Sequence, residues 1–154
     1  MSTVEQRLNY LGLTLPSAPK PVAAYVPAVR TGNLIYVSGQ IPMSDGKLQF
    51  PGPIPSKVSV DQGQLAARQC VLNALAVIQQ VTGVDLEDIR RVVRLGVFVC
   101  SDPGFAEQPK VANGASELLV EIFGDRGKHA RAAVGSIALP LGASVEVEMI
   151  VEVE

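Results

Sequence analysis

One histidine, two cysteines and no tryptophan occur in 154 residues, and each shortage removes a class of chemistry. A conventional zinc site needs several His or Cys ligands at set spacings, and neither HExxH nor a CxxC pair is present. Cys70 and Cys100 are too few for a disulfide framework, which fits a reducing cytoplasm. With no His or Lys beside either thiol, both are expected to be buried and inert. Aromatics are only 5%, the net charge is −2 and the pI is about 5.4, so no stacking platform or broad basic footprint for nucleic acid is present. No GxxxxGK[ST] or GxGxxG loop is there to cradle phosphates. Ser38, in VSGQ, is not a GxSxG elbow, and His129 lacks an obvious orienting carboxylate for a triad. The opening MSTVEQRLNYLGLTLP has neither the basic start nor the apolar core of a signal peptide, and no run approaches the roughly 20 apolar residues of a membrane span.

What remains is an apolar chain, 47% hydrophobic and 18% charged. Its length fits one domain over residues 1–154, with residues 1–20 as an N-terminal extension carrying a short helix. A chain this apolar must hide surface. A sheet with helices on one face leaves the other face bare, and a second copy can cover it, so a homo-oligomer is expected.

Periodicity predicts a helix from Val4 to Leu13, followed by an extended proline-rich segment around Pro16, Pro19 and Pro21. A first strand after Tyr25, a Thr31-Gly32-Asn33 turn, a second strand from Leu34 to Ser38 and a short third strand from Lys47 to Phe50 read as a β-meander. Residues 62–81 form a long helix with a wide apolar face including Leu65 and Leu72, with Asp61 as its N-cap and Gly83 as its stop. A buried strand follows from Arg91 to Val99. A second long helix then begins near Asp102 or Pro103, with a break near Pro109, and runs to Phe123. The C-terminal stretch from Gly127 holds two strands around Leu139-Pro140-Leu141-Gly142. In the second, Val145, Val147, Met149, Val151 and Val153 alternate with four glutamates and Ile150, the period of a strand with two unlike faces. Strands, helix, strand, helix, two strands point to an α+β fold, both long helices on one face of a mixed sheet.

Arg131 is the leading candidate for binding, because its planar fork matches a carboxylate bidentately. An edge-strand arginine paired with a nearby acid fits the composition as well. Glu146 is equally open, since four glutamates on one strand also describe a solvated face. In a tight hairpin centred on Pro140-Leu141, Arg131 would oppose Ile150, with Glu146 about 13 Å away along the strand. Tyr25 and Tyr36 read as packing residues with a bonded hydroxyl. The Ser38-Gly39-Gln40 step stands apart, because a glycine there lets a ligand approach the backbone closely.

Taken together, Tyr25, Asn33-Leu34-Ile35-Tyr36-Val37-Ser38-Gly39-Gln40-Ile41-Pro42, Val111-Ala112-Asn113-Gly114, Ala130-Arg131, Leu139-Pro140 and Val145-Glu146-Val147-Glu148 resemble the RidA family. These reactive intermediate deaminases are also called YjgF-like proteins and often labelled endoribonuclease L-PSP. The resemblance runs from about Pro21 to the C-terminus, and the longer N-terminus with GKHARAAVG is similar to a divergent branch. It implies a chorismate-mutase-like fold and a homotrimer with its sheets facing inward and three clefts between subunits, whose last two strands need not be hairpin partners. On the same grounds Arg131 would hold a substrate carboxylate and Glu146 would position water. Tyr25, Ser38, Gly39 and Asn113 would line the cleft. The family's usual cysteine two residues after the arginine is Ala133 here, which bears on substrate range.

The activity so implied is hydrolysis of enamines or imines derived from amino acids to 2-oxo acids and ammonia, with no cofactor and no metal. The ligand is a small carboxylate-bearing molecule, and neither membrane nor nucleic acid is an expected partner. Two alternatives stand beside it. One is a non-catalytic trimer that binds small carboxylates or a regulatory partner. The other is the ribonuclease or translation-inhibitor activity of the family label, for which the chain offers no histidine pair.

Overall fold

The structure, a computed structural model, describes residues 3–18 and 24–154. Residues 19–23, part of the segment predicted to run extended, lie outside the described residues. Helix α1 spans Thr3–Tyr10 and is followed by strands β1 (Ala28–Thr31), β2 (Leu34–Gln40), β3 (Met43–Ser44) and β4 (Lys47–Leu48). Helix α2 (Val60–Thr82), strand β5 (Ile89–Cys100), helix α3 (Gln108–Phe123), strand β6 (Ala130–Ser136) and strand β7 (Val145–Val153) complete the order. No helix among the described residues is long and apolar enough to cross a membrane.

The main sheet runs β1-β2-β7-β5-β6, antiparallel except for the parallel β5–β6 pair. This is the mixed α+β sheet expected. The expected meander is corrected, because the third strand pairs only with Met43–Ser44 in a separate two-stranded ribbon. The C-terminal strand is the centre of the sheet. Its Val145, Val147, Met149, Val151 and Val153 are all buried while the residues between them are half-buried, so the alternation in the sequence is the division between the helix side and the open side. β6 and β7 are not hairpin partners, since β5 lies between them.

Helix α2 starts two residues earlier than predicted. Ser59, not Asp61, is the N-cap: its hydroxyl accepts from the Gln62 N–H at 3.0 Å, and the Gln62 amide oxygen accepts from the Ser59 N–H at 3.0 Å, a reciprocal capping box. Gly83 ends the helix in the left-handed region at φ 74°, as its position foretold. The helix is buried over most of its circumference from Ala66 to Ile78, whereas Leu65 is half-exposed. Pro109 does not break α3; it lies in the first turn, where a missing N–H matters least. Val111, Ala115, Leu118, Leu119 and Ile122 are fully buried; each of the larger three contributes about 1.5–3 kcal/mol of burial.

The two long helices touch closely at one point. A Cβ at Gly114 would stand 2.7 Å from the Gln64 Cα and closer still to its carbonyl oxygen. The small residue is what lets α3 approach α2, and α3 in turn presents Asn113 and Ser116 beside β6.

Candidate functional site

Four of the residues singled out from the sequence meet at one cleft. Between Val37↔Met149 and Gln40↔Val147, β2 carries one more residue than β7, a bulge that takes Ser38 and Gly39 out of regular pairing. Ser38 turns inward, its N–H and hydroxyl both donating to the Pro27 carbonyl at 2.9 and 3.1 Å. Gly39 lies beneath Glu146, whose carboxylate fills the space a Cβ would occupy. With Tyr25 these residues line a cleft of about 670 Å³, closed on its apolar side by Ile41, Met43 and Leu141.

Glu146 is paired with no cation among the described residues, in contrast to Glu148, whose Oε1 lies 3.2 Å from Arg94 Nη1. Burial raises the Glu146 pKa above the ordinary carboxylate value, and the neighbouring charge of Glu148 raises it further. Such a carboxylate is a stronger proton acceptor than one in open water.

Arg131 belongs to a second group. Its Nη1 donates to Asn113 Oδ1 at 2.9 Å and to Ser116 Oγ at 3.1 Å, and its Nη2 to the Pro109 carbonyl at 3.4 Å. Among the described residues it is ion-paired with no carboxylate, so the edge-strand ion pair that composition allowed is not what holds it. Its partners are neutral. They orient the guanidinium and leave its charge available to an anion. Ala133 follows two residues on along the same strand and packs against the core.

The two groups do not converge within one chain. Arg131 is in register with the fully buried Leu95, on the helix side, whereas Glu146 pairs with Phe98 on the opposite face. Two strand spacings and three residues of offset separate them, about 10 Å across and about 10 Å along the sheet.

Ser116 and His129 are the site neighbours that the sequence reading passed over as site residues. Ser116 Oγ lies 2.8 Å from His129 Nε2, and His129 Nδ1 lies 2.6 Å from the Gly127 carbonyl. The available signal was spacing: Asn113 and Ser116 are three apart on a helix, and His129 and Arg131 two apart along the chain, so each pair shares a face. Burial lowers the His129 pKa, partly countered by the Gly127 carbonyl bond, with the Arg131 charge lowering it again. Cys70 and Cys100 are both free and buried, and Cys70 Sγ lies 3.7 Å from the carbonyl of Val145, the residue before Glu146. Burial raises both thiol pKa values, Cys70 well above its usual range, which keeps them protonated and inert.

Similarity to known proteins follows the same outline. Residues 5–153 match the family model described as "YjgF/chorismate mutase-like, putative endoribonuclease". Protein TCP17 of Trypanosoma cruzi is 45% identical over 150 residues, covering 97% of this chain and 93% of its own length. A 2-iminobutanoate/2-iminopropanoate deaminase of Dermatophagoides farinae is 32% identical over 143 residues, with 92% and 95% covered. The crystal structure of Atu1372 from Agrobacterium tumefaciens superposes with a TM-score of 0.91 at 47% identity, covering 99% of this chain and 94% of that one. With its mixed sheet, its two long helices on one side and a family match across nearly its whole length, the chain belongs to the RidA (YjgF-like) family.

Proposed function

We propose that this protein hydrolyses imines and enamines derived from 2-amino acids, releasing the 2-oxo acid and ammonia, in clefts between the subunits of a cytoplasmic homotrimer. The observation that carries the reading is Arg131: a cation held by neutral acceptors on the opposite side of the sheet from a carboxylate, Glu146, that has no cation beside it among the described residues and whose proton affinity is raised. A second copy is the simplest way to bring the two functions together, and the open face has surface to bury, since Val29, Tyr36 and Val134 are about half-exposed on it.

In this reading the substrate carboxylate docks on Arg131 of one subunit, with Asn113 fixing the guanidinium. Glu146 of the neighbouring subunit accepts a hydrogen bond from water and directs its lone pair at the C=N carbon. Water adds across the C=N bond and the proton passes to nitrogen. The tetrahedral carbinolamine then expels ammonia as the carbonyl forms. An enamine enters by tautomerising to the imine. Imines hydrolyse unaided, so orientation and charge placement suffice, with no cofactor required. Tyr25, Ser38 and Gly39 shape the wall, and Ala133 leaves a smaller, unreactive surface where the family's cysteine would stand.

The test is release of 2-oxo acid from imines generated in situ by an amino-acid oxidase. Purified protein accelerates it, and Arg131→Ala lowers kcat/KM roughly 10- to 150-fold, the equivalent of losing one charge-assisted bond. Equal rates for Arg131→Ala and wild type would sink the reading. Thermal stabilisation by 2-oxo acids without turnover would assign a carboxylate-binding protein instead.

A further inference from the structure

We propose that Ser116 and His129 are positioning residues that hold the Arg131 guanidinium in register for its ligand through a directed hydrogen-bond chain. The proposal rests on the reading of Arg131 as a carboxylate anchor. Its basis is the geometry of four groups: Arg131 Nη1 to Ser116 Oγ at 3.1 Å, Ser116 Oγ to His129 Nε2 at 2.8 Å, and His129 Nδ1 to the Gly127 carbonyl at 2.6 Å.

The direction of each bond follows from what each atom can do. The Gly127 carbonyl only accepts, so His129 Nδ1 carries the proton. In a neutral imidazole Nε2 then has a lone pair and no hydrogen. The Ser116 hydroxyl donates to that lone pair, which turns its own lone pairs toward Arg131. Nη1 has two N–H groups, and Ser116 Oγ and Asn113 Oδ1 take one each. With both protons of Nη1 committed and one of Nη2 reaching the Pro109 carbonyl at 3.4 Å, the guanidinium plane is fixed, and Nε–H with the remaining Nη2 proton is left to meet a planar carboxylate. The lowered proton affinity of His129 keeps the imidazole in the neutral form this chain needs.

The arrangement also accounts for the lone histidine. Without His129, the Ser116 hydroxyl could rotate and direct its hydrogen at the arginine, and the second link to Nη1 would be lost. Neither Ser116 nor His129 need touch substrate. Each acts through Arg131, so its contribution belongs to binding of the carboxylate and not to the attack of water.

Kinetics on the intact protein test this. Ser116→Ala and His129→Ala each raise KM for the imino acid roughly 3- to 10-fold, the equivalent of one neutral hydrogen bond, with kcat within about twofold of wild type. His129→Gln, whose amide oxygen can accept from Ser116, recovers most of the KM. In an Arg131→Ala background neither substitution has a further effect, because the residue they position is gone. Unchanged KM in both single variants, or effects that add to Arg131→Ala, overturn the proposal. A magnetic-resonance measurement on protein with isotope-labelled arginine decides the point independently of activity. Exchange between the Nη groups of Arg131 speeds up at least about threefold in Ser116→Ala; an unchanged rate rejects the relay. An Arg131→Ala variant as active as wild type would defeat the imine-hydrolase reading, while the exchange rate would still decide the relay.

Discussion

Arg131 and Glu146 stand on opposite faces of one sheet, two strands apart. If they act on one substrate, they must do so from different copies of the chain. The first prediction follows directly. Arg131→Ala and Glu146→Gln proteins are each impaired roughly tenfold or more, but unfolding and refolding them together at equal concentration restores roughly a quarter of wild-type activity, because random mixing rebuilds that share of clefts from one intact Arg131 and one intact Glu146. Mixing without recovery would place both groups in the service of separate sites.

Glu146 trades stability for its proton affinity. Its pKa is raised in the fold, so the stabilising contribution of the protonated form is complete below the unfolded-state pKa and is lost as pH rises through the folded value. At neutral pH the ionised group therefore destabilises the fold. Glu146→Gln raises the melting temperature by about 1–3 °C at pH 7 and lowers kcat by about a hundredfold or more. The gain in Tm shrinks as pH falls toward the ordinary carboxylate range. Wild-type activity falls in the same direction, as Glu146 takes up a proton.

The contact between Gly39 and Glu146 separates function from folding. A methyl group at Gly39 meets the far end of a flexible side chain, with the Glu146 Cδ at 2.8 Å, and the carboxylate can swing aside. Gly39→Ala leaves the melting temperature within about 2 °C of wild type and reduces kcat about tenfold or more by displacing the carboxylate proposed to direct the attacking water. A variant with full activity would show that the carboxylate has no fixed position to lose.

Gly114 is the opposite case. Its methyl group would strike the Gln64 backbone, which cannot rotate away, so α3 must move off α2. Gly114→Ala destabilises the protein by about 1–3 kcal/mol, read in denaturant or heat. Because α3 also carries Asn113 and Ser116, whatever protein remains folded has a raised KM with kcat less affected.

Some of this was legible in the chain itself. The alternation of Val145 through Val153 with Glu146, Glu148 and Glu152 stated which side of β7 would be buried, because a strand must turn successive side chains to opposite faces. Gly83 announced its helix end, since a left-handed residue is needed there and glycine adopts that conformation without strain. The family resemblance picked Arg131 and Glu146 out of a chain where composition alone made both ordinary surface charges.

Other features depend on where distant segments come to rest. No spacing rule places β5 between β6 and β7; that order comes from the helical connection of α3, which returns β6 parallel to β5. Arg131 therefore lies beside Leu95 of β5 rather than opposite Ile150, where a hairpin would put it. Likewise, the neutrality of Arg131's partners, the Ser116–His129 chain and the seating of Glu146 on Gly39 join residues up to 107 positions apart. Local sequence determined which residues could form strands and helices and which face each would bury. Tertiary packing alone decided which groups surround each charge: burial beside Glu148 gives Glu146 its raised proton affinity, and neutral acceptors from α3 leave Arg131 its unspent charge.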